Sequence, residues 1–360
     1  MKKYVIPIYI PDIEENNKGI LYVRNIDKNN EKITKEYIKK SIEKNLNKPE
    51  KVNIEKELAF IGGNFNSINM EIQKEILEVA CEELKEKKIQ SIRVVARPEY
   101  INKEILKMYK KYKVKTIELD VQSTDNYILN RAGKSHTFED IKKASKQIRW
   151  NGFKLGFQVV IGLPESTKLD ELNVAKELVK LKPKGVKIYP ALVIKDTKIE
   201  KEYINDTYEE IALVQAVERC KEVGYIFNNK KVKDIDILLH PLEEIEEFFV
   251  KEEDIIAGPY HNSFTQLVEA NMWYDTIVNT IKKYNVKVKE VEIKINSVDN
   301  NSVIGYKKEN INKLNKLYDV DLKIIKDDNI KQGKAEFKIL KTYTDFLEEE
   351  KTKKKEKIKK

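Results

Sequence analysis

The chain has 360 residues, of which 41% are apolar and 36% charged, and a formal net charge of +9. That length suffices for one large hydrophobic core with a smaller unit appended to it. No run of about 18 apolar residues occurs, and "MKK" leads directly into a short apolar run, which argues against a membrane span or a signal peptide. We therefore expect a cytoplasmic protein that does not act at a membrane.

The positive charge is concentrated at the C-terminus. The last ten residues, "KTKKKEKIKK", hold seven Lys and one Glu, or +6, which leaves +3 for the other 350 residues. Arginine, the residue best suited to bidentate phosphate contacts, occurs only six times. This distribution predicts a solvated, disordered tail at residues 346–360, with weak, salt-sensitive affinity for RNA as the alternative.

The two cysteines, Cys81 and Cys220, lie far apart in helix-like segments. Neither a disulfide framework nor a CxxC metal site can be derived from them. Both are predicted to be small, buried hydrophobic residues.

The first 230 residues alternate between strand-like and helix-like segments. Apolar, β-branched runs predict the strands, and helical spacing with capping-box pairs predicts the helices between them. The predicted strands are Val5–Ile10, Leu58–Ile61, Ile92–Ala96, Thr116–Gln122, Lys154–Pro164 (a strand with its following turn) and Gly185–Ile194. The predicted helices are Lys35–Asn45, Met70–Lys87, Lys103–Lys110, Phe138–Trp150, Leu169–Leu181 and Thr207–Val223.

Six such units predict parallel strands joined by right-handed helical crossovers, in a closed or partial barrel or in an open doubly wound sheet. No G-x-G-x-x-G follows the first strand, which counts against a dinucleotide fold. Later in the chain, strands at Lys287–Ser297 and Ala335–Leu340 flank a helix at Asn310–Leu317. We predict a barrel at residues 1–230, an α+β extension at 231–345 and the tail at 346–360.

Seven short motifs occur in an order that resembles a known family. They are "IPIYIP", "GGNF", "ARPEYI", "ELDVQSTDNYIL", "GFKLGFQVVIGLPEST", "KIYPALVIKDT" and "IIAGPYHNSFTQLVE". Together they resemble the radical SAM proteins of the Elongator catalytic subunit type, in the short bacterial branch without the acetyltransferase-like domain. The resemblance spans Tyr4 to about Leu340. It implies an α/β fold with a partial (β/α)6 TIM-like barrel and a C-terminal α+β extension.

The resemblance also implies a cofactor set, and the sequence departs from it. Family members use a [4Fe–4S] cluster and S-adenosylmethionine, with three cysteines spaced C-x3-C-x2-C after the first strand. When "IPIYIPDIEENNKGILYVRN" is laid against that loop, the three positions hold Glu15, Gly19 and Tyr22. A residue without a side chain and two hard oxygen donors cannot replace three thiolates. We therefore expect no cluster, no metal site, and weak or absent S-adenosylmethionine binding.

Other positions depart from the family pattern as well. In "ELDVQS", Asp120 stands where the related pattern has a glycine that gives room, and in "KSHT", Lys134 stands where it has an arginine. The histidines His136, His240 and His261 lie in separate motifs and are predicted to be structural or hydrogen-bonding residues rather than ligands. Scaffold motifs match the related pattern better than pocket motifs do.

If a small molecule still binds, the resemblance implies contacts at the ends of the strands. The candidate residues are Gly62, Gly63, Asn64, Glu118, Gln122, Gln158, Lys187 and Tyr189. The alternative is that these are polar groups satisfied inside the barrel.

The sequence leaves three functional hypotheses. The first is a degenerate, non-catalytic member that binds or regulates, alone or with an active radical SAM relative. The second is an enzyme that acts on tRNA or a small molecule, either cluster-independent or with cluster ligands supplied otherwise. The third is a tRNA-binding module, which can overlap with the first.

Overall fold

The computed structural model describes residues 3–10, 34–46, 55–62, 64–240, 252–284 and 286–358. The chain divides into two compact units, Met1–Asn262 and Ser263–Lys360. The segment with Glu15, Gly19 and Tyr22, and also Gly63, lie outside the described residues.

The first unit is built of alternating strands and helices. Its strands are β1 (Lys3–Ile10), β2 (Glu55–Gly62), β3 (Ser91–Ala96), β4 (Val114–Gln122), β5 (Lys154–Ile161), β6 (Gly185–Pro190), β7 (Val193–Ile194), β8 (Asp234–Ile237) and β9 (Ile255–Ala257). Its helices are α1 (Lys35–Leu46), α2 (Met70–Lys85), α3 (Lys103–Lys111), α4 (Asn126–Arg131), α5 (Phe138–Trp150), α6 (Lys168–Lys180), α7 (Lys198–Ile204) and α8 (Leu213–Asn229).

Seven of these strands form one parallel sheet in the order β1-β2-β3-β4-β5-β6-β8. Helices connect successive strands, as parallel pairing requires. Because β1 and β8 are the outer strands of the described sheet, the barrel is partial. The predicted α/β fold with a partial (β/α)6 barrel is confirmed. The C-terminal ends of the parallel strands lie at one rim of the sheet, here called the barrel mouth.

The alternation of side chains along each strand separates two faces. On β1 and β2, Ile6, Ile8, Leu58 and Phe60 are fully buried on one face. The other face carries a small apolar cluster of Tyr9, Ala59, Ile61 and Val95, and it also carries charged residues deeper in the barrel. The apolar face packs against the helices and supplies most of the core, so the second face is left to line the interior.

The second unit has an α+β architecture. Its helices are α9 (Phe264–Ile281), α10 (Asn300–Ile304), α11 (Glu309–Tyr318) and α12 (Tyr343–Ile358), and its strands are β10 (Val288–Ile295), β11 (Asp321–Lys326) and β12 (Ala335–Thr342). β10 is central, parallel to β11 and antiparallel to β12. A separate core includes Trp273, Val291, Ile293 and Leu314. The predicted α+β extension is confirmed.

Two features of the domain layout differ from the sequence prediction. The unit boundary falls after Asn262 rather than after residue 230, because β8 pairs with β6 and β9 pairs with β7. Residues 346–358, predicted as a disordered tail, continue α12. That helix begins at a local cap, in which the Asp345 carboxylate accepts hydrogen bonds from the Thr342 N–H and hydroxyl.

Helix α8 begins six residues later than predicted. Thr207 and Glu210 have capping-box spacing, yet the helix starts at Leu213, where the Gln215 side chain accepts the Ala212 N–H. In the part of the chain that the structure describes, no helix is both long and apolar enough to cross a bilayer.

Candidate functional site

A buried arginine organises the interior of the barrel. Arg93 on β3 donates from Nη1 to Glu118 Oε2 on β4 at 2.8 Å, and its Nε lies 3.3 Å from Glu57 Oε2 on β2. All three side chains are at least nine-tenths buried. Ser91 Oγ donates to the second oxygen of Glu57 at 3.1 Å. Charges buried this deeply are stable only when they are paired and hydrogen-bonded, and these are.

Four of the predicted site residues join this network. Gln158 Nε2 donates to Glu118 Oε1, and Lys187 Nζ lies 3.9 Å from the same oxygen. Tyr189 donates its hydroxyl to Gln158 Oε1 at 3.5 Å. Burial, with Asp120 and Glu118 nearby, raises the pKa of Tyr189 well above its usual value, so the phenol remains a hydrogen-bond donor. The structure thus brings Glu118, Gln158, Lys187 and Tyr189 together on three neighbouring strands.

Arg93 and Glu57 are interior residues that the sequence motifs did not identify. One sequence signal could have found Arg93, namely a charged residue followed by three apolar residues in the buried strand "SIRVVA", where an isolated charge would be costly. Its carboxylate partners come from strands 25 and 36 residues away, so the pairing itself cannot be derived from local pattern.

A second ion pair lies at the mouth. Asp120 Oδ2 accepts from Lys134 Nζ at 2.7 Å, and both side chains are largely buried. Burial alone would raise the pKa of Asp120. The charge and hydrogen bond of Lys134, with smaller contributions from His136 and Arg97, lower it instead. Asp120 is therefore ionised at neutral pH.

The loop at residues 132–137, which carries Lys134, is held over the end of β4. His136 is buried, with Nε2 3.3 Å from the carbonyl oxygen of Val121 and Nδ1 3.4 Å from Glu99 Oε2. Ser135 Oγ donates to the other Glu99 oxygen at 2.6 Å. Burial opposes ionisation of Glu99, but these two partners lower its pKa overall. His136 is a hydrogen-bonding residue, as the sequence predicts.

Three oxygens near the strand ends lack partners among the residues that the structure describes. They are Asn64 Oδ1 after β2, Asp120 Oδ1 on β4 and Gln122 Oε1 at the end of β4. Each residue is more than 90% buried. Gln122 follows a register shift in β4 and has φ +63°, a backbone conformation that costs about 1 kcal/mol or more in a non-glycine residue. Together these acceptors suit a ligand that carries N–H or O–H donors.

The conformation of Gly62 is accounted for by strand packing. Its φ is +102°, and a Cβ there would come within 2.5 Å of the Tyr9 ring and 2.8 Å of the Ile10 carbonyl oxygen. A glycine is thus needed for β2 to end against β1.

These features define an open parallel (β/α) barrel with a polar, charge-balanced interior and hydrogen-bonding capacity at its mouth. Two family models match the chain: the radical SAM superfamily at residues 22–178 and the radical SAM C-terminal domain at 183–274. Together they cover more than two thirds of the sequence. The chain belongs to the radical SAM superfamily.

Similar proteins place it near the Elongator-like group. An uncharacterized protein of Methanocaldococcus jannaschii is 30% identical over 179 residues, covering 48% of this chain and 55% of that protein. A tRNA uridine(34) acetyltransferase of the same organism is 30% identical over 128 residues, 35% of this chain and 24% of that protein. The aligned parts thus span between about a quarter and about half of these relatives.

One solved structure supports the fold. The Elp3 protein of Methanocaldococcus infernus, with an N-terminal deletion, aligns with a TM-score of 0.58 and 21% identity. The alignment covers 75% of this chain and 62% of that one.

Proposed function

We propose that this chain is a non-catalytic member of the radical SAM superfamily. It keeps the barrel as a binding scaffold and lacks the iron–sulfur chemistry that the superfamily normally carries out with a [4Fe–4S] cluster and S-adenosylmethionine. It acts by binding, either alone or beside an active relative.

This proposal rests on the number and location of the cysteines. A cluster of the superfamily's kind needs three cysteine ligands, and the whole chain contains two cysteines. Cys81 lies in α2, and its thiol donates to the carbonyl oxygen of Tyr112 at 3.2 Å. Tyr112 comes two residues before β4, a strand roughly 25 Å long, so this thiol lies toward the end of the sheet opposite the mouth.

The second cysteine is equally unsuited to bind iron. Cys220 is fully buried in α8, and burial raises the pKa of its thiol well above the usual value. Iron binds the thiolate, so a ligand at this position would have to lose its proton inside the core. In addition, the superfamily match begins only at residue 22, after two of the three positions at which the resemblance expects cysteines.

Anaerobic reconstitution with ferrous iron and sulfide tests the proposal. We expect the wild-type chain to retain substoichiometric iron and to lack the broad visible absorption of a [4Fe–4S] cluster. The matched control is the triple variant Glu15→Cys, Gly19→Cys, Tyr22→Cys, which reintroduces the family's ligand spacing and should retain more iron. Four irons and four sulfides per wild-type chain would overturn the proposal.

A specific feature of the second unit favours RNA as a partner. Lys282, Lys287 and Lys316 line a groove of about 420 Å³, together with Tyr284 and Tyr318. The acidic residue of its lining, Asp319, is already paired with Lys289 at 2.6 Å. Lysines beside aromatic rings favour contact with a phosphate backbone and exposed bases.

This groove adjoins the start of the Lys-rich helix. Lys287 Nζ lies 4.0 Å from the centre of the Tyr343 ring, and the Tyr343 N–H donates to the Lys287 carbonyl oxygen at 2.8 Å. Tyr343 is the first residue of α12, whose sequence continues into the run "KTKKKEKIKK". We propose that the groove and this run act together on a tRNA-like polyanion.

Filter binding of unfractionated tRNA across a salt series tests the second proposal. We expect binding that weakens steeply with salt, with a shallower log–log slope in the variant Lys282→Ala, Lys287→Ala, Lys316→Ala and in a chain ending at residue 350. The matched control replaces the exposed α3 lysines Lys103, Lys107 and Lys110 and should leave the slope unchanged. Equal losses in both triple variants would mean that the groove has no special role.

A further inference from the structure

We propose that the ion pair of Asp120 and Lys134 is a specificity element that excludes adenosyl ligands from the barrel mouth. The inference rests on the proposed function, because it concerns a mouth that no longer works with a cluster. It supplies a reason for weak S-adenosylmethionine binding that is independent of the cysteines.

Asp120 projects into the barrel one layer nearer the mouth than Glu118. The two residues are two positions apart on β4, so their side chains lie on the same face of the strand. Glu118 faces the interior, since it contacts Arg93 and Gln158. Asp120 is also in register with Gln158 on β5. Its carboxylate therefore takes up interior space where an entering ligand first meets the strands.

Lys134 is held in position from both sides. Its N–H donates to the carbonyl oxygen of Leu129 at 2.9 Å, closing the end of α4, and the next turn of the loop is fixed by His136 against Val121. The lysine side chain is 15% exposed and that of Asp120 is 11% exposed. The ammonium group is thus placed inside the rim rather than in solvent.

The pair is difficult for a nucleoside to displace. Separating the two groups would leave a buried charge without its partner, which is strongly unfavourable. A neutral adenosyl group offers no charge in exchange. Both partners also stand at positions where the sequence departs from the pattern it resembles, Asp120 in place of a glycine and Lys134 in place of an arginine. These two residues contact each other, with Lys134 Nζ 2.7 Å from Asp120 Oδ2.

Equilibrium binding to the full chain tests the inference. The probes are S-adenosylhomocysteine and 5′-methylthioadenosine, measured by isothermal titration calorimetry. The second probe lacks the amino and carboxylate groups that a cluster iron would hold, so its affinity reports on the barrel alone. We expect wild-type dissociation constants in the millimolar range or weaker. Asp120→Gly should bind both probes at least tenfold more tightly, or about 1.4 kcal/mol.

The matched control is Asp120→Asn, which keeps the size of the side chain and removes its charge. Its affinity should lie between those of wild type and Asp120→Gly, because the amide still fills the space and still accepts from Lys134 but no longer forms an ion pair with it. If both variants gained equally in nucleoside affinity, the space filled by the residue 120 side chain would have no role in the exclusion, and that part of the inference would be overturned. No gain in a folded Asp120→Gly chain would overturn the inference outright.

Circular dichroism and thermal melting establish that the variants are folded. Should Asp120→Gly fail to fold, Lys134→Ala takes its place with a smaller expected gain, since it withdraws the lysine stem from the mouth but leaves the Asp120 side chain there. These results are distinguishable from a failure of the proposed function. A cluster in the wild-type chain would overturn that function whatever the nucleoside affinities are, and an unchanged nucleoside affinity leaves the iron result as it was.

Discussion

At the scale of single residues, the most consequential titration is that of Glu171 on α6. The residue is 1% exposed, and its Oε1 accepts the Gly162 N–H at 2.7 Å and lies 3.3 Å from Arg219 Nη1. Burial raises the pKa of Glu171 to about 7, although both partners oppose the shift. The carboxyl is therefore partly protonated at neutral pH.

This shift predicts how stability depends on pH. Between about pH 4.5 and 7 the folded chain holds a proton on Glu171 that the unfolded chain has released. The free energy of unfolding should therefore fall by at most about 3 kcal/mol as pH rises through that window. Above pH 7 it should level off. Urea titrations at several pH values would measure it. Glu171→Gln should flatten this decline, whereas the exposed control Glu139→Gln should not, and an unchanged slope in Glu171→Gln would contradict the assignment.

The buried network around Arg93 and Glu118 leads to a second prediction at the residue scale. Glu118→Ala removes the carboxylate shared by Arg93, Gln158 and Lys187 and leaves buried positive charge under-compensated. We expect a loss of about 3–5 kcal/mol in the free energy of unfolding, measured with denaturant. Glu71→Ala, which breaks only the exposed pair with Lys74, is the control and should cause no measurable change. Similar small losses in both variants would mean that the interior charges are solvated.

The sequence nominated part of this interior cluster. Glu118, Gln158, Lys187 and Tyr189 were nominated by their positions in the motifs that carry the family resemblance. The ion pair of Asp120 with Lys134 could not be. Its partners are 14 positions apart, and they meet only because α4 ends and the loop at residues 132–137 turns back over β4. A local sequence pattern does not indicate that this loop folds back over β4.

At the scale of elements, most strand and helix bounds followed from periodicity, whereas the partial barrel was implied by the family resemblance. The late start of α8 did not follow from periodicity, and its cause is tertiary. The Tyr208 hydroxyl donates to the Gly162 carbonyl oxygen at 2.8 Å, and Ile211 packs over the Gly162 α-carbon. These contacts keep residues 207–212 out of the helix although Thr207 and Glu210 have the spacing of a cap.

The turn after β5 therefore gives a test at the element scale. Gly162 has φ +80°, and a Cβ there would lie 2.8 Å from Ile211 Cδ1, while Gly152 has φ +86° with nothing within 4 Å. Gly152→Ala should cost about 1 kcal/mol for its left-handed backbone alone. Gly162→Ala adds the clash and should cost roughly 2–3 kcal/mol. Urea unfolding compares them, and equal losses would show that Ile211 moves aside without cost.

At the scale of the whole molecule, each unit has its own hydrophobic core. In the second unit the core surrounds β10, where Ile293 is fully buried, and it includes Trp273. In the first unit the apolar face of the seven-stranded sheet packs against its own helices. Cores that share no residues are expected to respond independently to substitutions.

Hydrogen exchange followed by mass spectrometry tests that independence. Ile293→Ala removes three carbons from the core of the second unit and should cost about 2–5 kcal/mol there. Peptides from β10, β12 and α9 should then exchange faster, while those from β4 and β5 keep their wild-type rates. Gly162→Ala is the reciprocal variant and should accelerate only peptides of the first unit. A variant that accelerates both sets equally would indicate one cooperative molecule, because the loss of one core would then unfold the other.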